Sequence, residues 1–310
     1  MAKDGEAGAG VPAPASVRAQ VVLYNNSLAE VWRLLRGLVA TTRTARAAGI
    51  LRWLEIRIGD CSPAPVLAEA DVREIEAHMA AAGVDSIIYE FFDANLKSAL
   101  GQNTLAGNAE TDFLLIENPD TYAAPTMLSE LLTTMGDPRV GIAEARQIPL
   151  EHPKAFDLGT GDTSWASTCA VLVRRATFVA VGGFDHLSFP LYCDDVDFSW
   201  RVRLAGQRVV HVPRAVVFHD KQIGANGHAA GTQVEVYEGT LARLMLGRKY
   251  GRPDIVEQTI ASIEGHGQGT QFDALAEFRR RSDEGSVPAA VEGAERAAQF
   301  EGGEYAVHRF

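Results

Sequence analysis

Three separate segments of the chain carry the carboxylate and imidazole side chains of a metal-assisted reaction centre. Asp120 follows a short apolar run and a proline, and His219 ends a second apolar run. The cluster Asp194-Asp195-Val196-Asp197 opens a predicted helix. Carboxylate oxygens suit Mg²⁺ or Mn²⁺, and imidazole suits Mn²⁺. Crowded carboxylates raise one another's pKa, which suits one of them to take a proton from a hydroxyl. The three segments therefore predict one centre around one divalent cation.

Each of these residues also has an ordinary structural explanation. A single aspartate after a strand is often a turn residue, and acidic residues at a helix start complement the helix dipole. Asp197 and Arg201 stand at i and i+4, which favours a surface ion pair over a direct catalytic role. His219 alone is most often an ordinary residue at the end of a strand. The prediction therefore depends on the whole set and not on one member.

A repeating order of strand, turn and helix must position these side chains. The apolar run 21–24 is followed by Asn25 and by Ser27, which is suited to cap a helix. Further strands are predicted at 51–58, 86–89 and 113–116, and helices are predicted between them. Alternation of this kind predicts an α/β fold with a mixed, mainly parallel sheet flanked by helices.

The carboxyl ends of the strands form the expected ligand edge of such a sheet. Asn25, Asp60 and Asp120 would all lie on that edge. Asp60 either caps its own turn or accepts a hydrogen bond from a nucleotide base. Trp165 either belongs to the core or stacks on the face of a sugar.

The second half of the chain does not continue the regular alternation of strand, turn and helix. It predicts a strand at 169–173, a helix at 196–204 and two short strands at 209–212 and 216–218. A helix is predicted from about 234 to 250, and the tail shows no recognisable chemistry. The predicted organisation is a disordered segment over 1–18, a catalytic domain over 19–223 and a helical extension over 224–310.

Net charge, cysteine content and the lengths of the apolar stretches limit which functions and cellular locations the sequence predicts. A net charge of −11 and a pI near 5.2 argue against a broad nucleic-acid surface. The three widely spaced cysteines suggest neither a disulfide framework nor a paired-cysteine zinc site. No apolar stretch approaches the roughly 20 residues that span a bilayer, and no signal peptide is visible. The expected location is the cytoplasm, with peripheral contact at the inner face of the membrane left open.

The ordered motifs together resemble inverting family 2 glycosyltransferases of the GT-A fold, especially rhamnosyltransferase-like and galactofuranosyltransferase-like members. The resemblance covers roughly residues 20–221. In chain order, its motifs are Val21-Val22-Leu23-Tyr24-Asn25, Gly59-Asp60-Cys61-Ser62, Asn118-Pro119-Asp120-Thr121, Gly182-Gly183-Phe184-Asp185, Asp194-Asp195-Val196-Asp197-Phe198-Ser199-Trp200-Arg201 and Val217-Phe218-His219.

The resemblance implies roles for the candidate residues at the reaction centre. Asp120 matches the last acidic position of the DxD-type metal element, and His219 matches the histidine that completes the metal site. Asp195 matches the catalytic base, and Asp194 matches a neighbour that helps hold the acceptor substrate. Asn118 departs from the pattern, because many members have an aspartate there.

The resemblance also implies a donor site and its ligands. Tyr24, Asn25, Asp60 and Asn95 would bind the nucleotide together with Asp120, and Trp165 would line the pocket for donor and acceptor. The implied donor is a sugar linked to UDP or dTDP, and the implied acceptor is a hydroxyl of a glycan or glycolipid of the cell surface. Mn²⁺ or Mg²⁺ is the implied cofactor.

Two other functions and the assembly state stay open at this point. A degenerate domain could bind nucleotide or glycan without turnover. A nicotinamide-dependent oxidoreductase shares the alternating pattern, but the sequence after the first strand lacks the G-x-G-x-x-G phosphate loop. Neither a monomer nor an oligomer is favoured by the sequence.

Overall fold

An eight-stranded mixed sheet forms the centre of the molecule. The computed structural model describes residues 14–221, 232–301 and 304–309. The strands are β1 Ala15–Leu23, β2 Leu51–Asp60, β3 Ser86–Phe91, β4 Phe113–Glu117, β5 Thr121–Ala123, β6 Val140–Ile148, β7 Ala170–Arg174 and β8 Arg208–His219. They are arranged in the order β3-β2-β1-β4-β7-β6-β8-β5.

Helices occur throughout the described chain, between the strands and after the last strand. In chain order they are α1 Leu28–Ala47, α2 Glu69–Ala81, α3 Lys97–Ala106, α4 Met127–Thr134, α5 Arg175–Ala180, α6 Asp194–Leu204, α7 Gln233–Lys249, α8 Pro253–His266 and α9 Thr270–Asp283. The helix α1 begins as predicted, because Ser27 and Glu30 form a reciprocal capping box. None of the helices in the described ranges combines the length and the apolar content that crossing a bilayer requires.

The sheet topology explains why the candidate residues converge. Strands β1 to β4 are mutually parallel in the order β3-β2-β1-β4, so their carboxyl ends share one edge. Strand β7 runs antiparallel to β4, and β6 and β8 follow as a parallel pair. The short strand β5 then pairs antiparallel with the end of β8. This arrangement confirms the predicted α/β class with a mixed, mainly parallel sheet.

Two sequence predictions of local structure were wrong. The first strand begins at Ala15, so the last four residues of the predicted disordered segment 1–18 belong to the sheet, while 1–13 lie outside the described residues. Arg18 is tolerated inside the sheet because its guanidinium donates to Glu55 at 2.7 Å and to Asn108 at 2.8 Å. The two short strands predicted at 209–212 and 216–218 form one continuous strand, β8, with a local register shift.

The predicted helical extension is present and packs against helix α6. Its expected start near 224 lies outside the described residues. Leu244 and Met245 of α7 belong to one buried cluster with Phe189 and with Trp200 of α6. A core shared in this way means that the position of α6 depends on the extension.

Candidate functional site

Asp120 and His219 are in direct contact at the edge of the sheet. The antiparallel pairing of β5 with β8 sets Thr121 opposite His219, and the Asp220 amide donates to the carbonyl of Asp120 at 2.9 Å. The Nε2 atom of His219 then lies 3.1 Å from Oδ2 of Asp120. Residues 99 positions apart are therefore held in contact by strand pairing.

Two side chains contact the ring nitrogen of His219 that points away from Asp120 and hold the imidazole in place. Its Nδ1 lies 3.0 Å from Oε1 of Gln147 and 3.3 Å from Sγ of Cys169. Nδ1 therefore faces Gln147 and Cys169, and Nε2 faces the carboxylate of Asp120. An imidazole nitrogen and a carboxylate oxygen at this separation share either a proton or a cation. Outer contacts of this kind are typical of histidines that bind metals.

The electrostatic environment keeps Asp120 ionised. Burial raises the pKa of its carboxyl, but the hydrogen bond and charge of His219, assisted by Arg33, bring the pKa below its ordinary value. One carboxylate and one imidazole fit Mn²⁺ as a partial ligand set. In the part of the chain that the structure describes, no three His, Cys, Asp or Glu side chains gather around one point. A bound cation would therefore take its other ligands from substrate or water.

Glu117 is a buried acid at this site that the sequence analysis did not single out. It ends β4, has no exposed surface and accepts a hydrogen bond from Thr121 at 2.8 Å. Burial raises its pKa to about 7, despite the opposing hydrogen bond from Thr121. A glutamate that closes an apolar strand immediately before Asn118 was the signal that could have identified it.

Asp194 and Asp195 stand at the start of α6 in different environments. Asp194 is buried, whereas Asp195 is partly exposed and accepts the Val196 amide at 2.8 Å. Burial and the charge of Asp195 raise the pKa of Asp194 well above its ordinary value. Burial also raises the pKa of Asp195, to about 6, although the Val196 amide and Lys154 oppose this rise. Both carboxyls at the start of α6 are therefore harder to ionise than an ordinary aspartate.

Asp197 does not form the surface ion pair that its spacing from Arg201 predicted. The pair exists, with Nε of Arg201 2.7 Å from Oδ2, but Asp197 has no exposed surface. Lys249 lies 2.6 Å from Oδ1, and the Tyr250 hydroxyl donates to the same atom at 2.9 Å. The prediction was wrong because the end of α7 covers this face of α6.

A second polar cluster lies on the β6 side of the site. Glu144 accepts from Nζ of Lys154 at 2.6 Å and lies 3.0 Å from Nδ1 of His211. The charges of Glu144 and Lys154 both act on the pKa of Asp195, which places the cluster within electrostatic range of α6. No local sequence pattern indicated this cluster, because its members come from different parts of the chain.

Trp165 is largely covered by neighbouring side chains. It is 7% exposed, with Nζ of Lys154 4.1 Å above the ring centroid and the His152 ring at 4.9 Å. It shares a buried cluster with Phe189 and Trp200. The core alternative therefore describes Trp165 better than a free stacking face for a sugar.

Asp60 is committed to its own loop. Its carboxylate accepts the amides of Ser62 at 2.9 Å and Val66 at 2.7 Å, and the Tyr89 hydroxyl at 2.5 Å. Burial, followed by the Asp60 hydrogen bond, raises the pKa of Tyr89 to about 12. Asp60 has no exposed surface, which favours the capping alternative over a contact with a base.

The remaining nucleotide candidates are exposed near the carboxyl ends of β1 and β3. Tyr24 is 51% exposed. Asn25 adopts a φ of 56° and donates its amide to Oγ of Ser62 at 2.8 Å. Asn95 is exposed, and its Oδ1 accepts the Lys97 amide at 3.1 Å. Because β1, β3 and β4 end at the same edge, these side chains lie on the Asp120 side of the sheet.

Parts of the sequence are similar to bacterial glycosyltransferases. A segment of 57 residues, 18% of each chain, is 47% identical to N-acetylglucosaminyl-diphospho-decaprenol L-rhamnosyltransferase of Mycobacterium tuberculosis. A longer match of 141 residues is 30% identical to the pre-mycofactocin glycosyltransferase of that organism, over 39% of this chain and 30% of the relative. Each match spans less than a third of the relative's length, and no family profile matches the chain.

Solved glycosyltransferases share the fold over most of the chain. The mannosyltransferase PcManGT from Pyrobaculum calidifontis, in complex with GDP-Man and Mn²⁺, has a TM-score of 0.54 and 14% identity, over 87% of this chain and 81% of that one. GalNAc-T7, with UDP, GalNAc and Mn²⁺, has a TM-score of 0.55 and 11% identity, over 90% and 60%. The predicted GT-A fold and the resemblance to glycosyltransferases are therefore confirmed.

Proposed function

We propose that this protein is an inverting glycosyltransferase that moves a sugar from a UDP- or dTDP-linked donor to a hydroxyl of a glycan or lipid-linked acceptor. One observation carries the proposal. The Asp120–His219 pair lies at the ligand edge of a GT-A sheet, and the partly exposed Asp195 heads a neighbouring helix with a pKa raised to about 6. The named complexes of the two structural neighbours contain nucleotides or nucleotide sugars with Mn²⁺, which supports this class of donor.

Asp195 acts as the general base in this mechanism. Its carboxylate accepts the proton of the acceptor hydroxyl while the hydroxyl oxygen forms a bond to the anomeric carbon of the sugar. The bond from that carbon to the diphosphate breaks, and the diphosphate leaves with the bonding electrons. A base whose pKa is about 6 is well matched to neutral pH, because it is mostly ionised there and still basic enough to take the proton.

Asp194 assists as a neutral acid. Its pKa lies well above the ordinary value because of burial and the adjacent charge of Asp195. A protonated carboxyl can donate a hydrogen bond to an acceptor oxygen, which an ionised carboxylate cannot do. Asp194 therefore orients the acceptor and leaves the proton transfer to Asp195.

Asp120 and His219 would hold the divalent cation. When bound, Mn²⁺ or Mg²⁺ would neutralise charge that develops on the leaving diphosphate. Gln147 keeps the imidazole of His219 turned toward Asp120, since it engages the opposite ring nitrogen at 3.0 Å. The low pKa of Asp120 keeps the carboxylate available for this purpose at neutral pH.

Tyr24, Asn25 and Asn95 form the nucleotide end of the site in this proposal, and Asp60 shapes the loop beneath them. An acceptor carried on a lipid would bring the protein to a membrane surface, and we place that contact at the cytoplasmic face. The M. tuberculosis relative is named for a decaprenol-linked acceptor, which supports this class of substrate.

A nucleotide-binding domain without turnover is the second candidate. It is favoured by Asn118, which stands where a second carboxylate is common, and by a set of only two candidate cation ligands in the described residues. This candidate predicts nucleotide binding without release of diphosphate from any nucleotide sugar.

Calorimetric titration with UDP and with dTDP tests the donor site. Each nucleotide is titrated with Mn²⁺, with Mg²⁺ and with a chelator. The proposal predicts binding of at least one nucleotide that strengthens with a divalent cation. Absence of binding by both nucleotides under all three conditions would contradict it.

A further inference from the structure

One lysine beside the candidate site has no counter-ion among the described residues. The structure describes four lysines. Three of them form ion pairs: Lys97 with Glu238, Lys154 with Glu144, and Lys249 with Asp185 and Asp197. Lys221 is the fourth. Because acidic residues outnumber basic ones in this chain by 40 to 29, a lysine without a carboxylate partner requires an explanation.

The backbone holds Lys221 close to the Asp120–His219 pair. The Lys221 amide donates to the carbonyl of His219 at 2.8 Å, and the amide of Asp220 donates to the carbonyl of Asp120. The carboxylate of Asp220 does not neutralise the lysine, because it is paired with Nη1 of Arg33 at 2.6 Å. Lys221 is thus anchored at the site with its ammonium group uncommitted.

The charge of Lys221 affects the pKa values of two residues of the site. It contributes to lowering the pKa of His152, after desolvation and the charge of Lys154, and it opposes the rise in the pKa of the Cys169 thiol. Cys169 itself touches the imidazole of His219 at 3.3 Å. Together with the backbone bond from Lys221 to His219, these effects show that the charge of Lys221 acts at the sheet edge where Asp120 and His219 meet.

A diphosphate in this place needs positive charge, and the basic side chains around it are largely balanced by carboxylates. Asp120 and Asp195 are acidic, and the charge of Lys154 is already balanced by Glu144. Among the described residues, a cation bound by Asp120 and His219 would have two protein ligands. Arg33 is paired with Asp220, whereas Lys221 has no carboxylate partner in the same part of the chain and can bind an anion.

We propose that the ammonium group of Lys221 binds the diphosphate of the nucleotide-sugar donor and supplies part of the positive charge that a two-ligand cation site provides incompletely. This assignment rests on the proposed function. It predicts that some affinity for nucleoside diphosphates persists without a divalent cation and depends on Lys221. Hydrogen bonds to charged groups contribute about 1.5–3 kcal/mol, which corresponds to roughly 10- to 100-fold in affinity.

Titration of variants with UDP and dTDP tests the assignment. Lys221→Met is compared with Lys221→Arg and with Arg214→Met, which removes one exposed positive charge from β8, the strand that precedes Lys221. We expect Lys221→Met to bind diphosphates about 10- to 100-fold more weakly, in Mn²⁺ and more severely in chelator. Lys221→Arg should retain most of the affinity, and Arg214→Met should match the unmodified protein. Uridine and thymidine, which lack phosphates, serve as ligands whose affinity Lys221→Met leaves unchanged.

Two results would overturn the assignment in distinguishable ways. If the unmodified protein binds UDP or dTDP and Lys221→Met binds it equally well in Mn²⁺ and in chelator, Lys221 does not contact the diphosphate, while the donor site stands. If neither nucleotide binds to any of the proteins even with Mn²⁺, the proposed function fails and this assignment fails with it.

Discussion

Helix α6 holds acidic side chains of two opposite kinds within its first turn. Asp197 has no exposed surface, yet Lys249, Arg201 and the Tyr250 hydroxyl all lie within hydrogen-bonding distance of its carboxylate. Asp194 and Asp195 form no ion pair with any residue that the structure describes, and the pKa of each is raised. The same helix therefore carries one compensated carboxylate and two uncompensated ones.

This difference separates a structural role from a chemical one. The buried carboxylate of Asp197 contacts two cations and thereby joins α6 to the end of α7. A carboxylate that is costly to ionise can exchange a proton near neutral pH. Lys249 and Tyr250, which compensate Asp197, come from the end of α7 and the residue after it, so the extension fixes the helix that carries the proposed base.

The largest effect should follow from removing the uncompensated base. Asp195→Asn should lower kcat by about 10²- to 10⁴-fold, since general-base catalysis contributes this much. Affinity for UDP or dTDP should not change, because the base acts in the chemical step and does not hold the diphosphate. A main effect on nucleotide affinity, measured by calorimetry, would refute the role.

The same substitution should stabilise the fold. A carboxyl whose pKa is raised to about 6 makes folding less favourable as pH rises from about 4 to 6, because the folded protein resists losing that proton. Asp195→Asn removes this cost and should increase the free energy of unfolding at pH 7 by on the order of 1 kcal/mol. Urea denaturation at pH 7 and pH 4 measures it, and a gain of equal size at both values would contradict the explanation.

Removing the compensated carboxylate should have the opposite effect on stability. Asp197→Asn leaves Lys249 and Arg201 with less negative charge in a buried position, and breaking such a pair costs about 3–5 kcal/mol. The midpoint of urea unfolding should fall accordingly. Asp254→Asn, at an exposed ion pair with Arg252, is the control and should leave the midpoint unchanged. A stable Asp197→Asn protein would remove the distinction between the two kinds of acid.

The cation site should give an intermediate effect on donor binding. Asp120→Ala and His219→Ala should each weaken Mn²⁺-dependent binding of the nucleotide, and Gln147→Ala should do so by about 10-fold or more, because it orients His219. In chelator, Gln147→Ala should bind like the unmodified protein. If the substitutions at Asp120 and His219 leave Mn²⁺-dependent binding intact, the cation is held elsewhere.

The smallest and most graded effect is the pH dependence of activity. Asp195 must be ionised to accept a proton, so kcat/KM should rise with pH through about 6 and level off above it. Below this pH the carboxyl is protonated and the rate should fall about tenfold per pH unit. A profile that is flat between pH 5 and pH 8 would exclude Asp195 as the titrating base.

Local and periodic features were predictable from the sequence. Strand and helix alternation defined the sheet, and Ser27 was correctly identified as a helix cap because the capping signal lies within four residues. The approach of Asp120 to His219 could be anticipated, since each ends a strand and strand ends meet at the edges of a sheet. Those inferences needed only local spacing and general rules of topology.

Compensation of charge could not be predicted in the same way. Nothing near Asp197 indicates that Lys249 reaches it, because that contact depends on how α7 packs on α6. Arg18 was read as part of a disordered segment because its partner, Glu55, belongs to a neighbouring strand. Contacts between elements that are far apart in the sequence decide which charges are neutralised. The periodic patterns of the sequence do not predict these contacts.

Release of nucleoside diphosphate from a panel of UDP- and dTDP-sugars tests the central claim most directly. The unmodified protein and Asp195→Asn are compared after calorimetry has shown that both bind the nucleotide. The proposed function predicts release from at least one nucleotide sugar by the unmodified protein, and release at least about 100-fold slower by Asp195→Asn. Equal release by the two proteins, or tight nucleotide binding without release from any sugar by the unmodified protein, would contradict it.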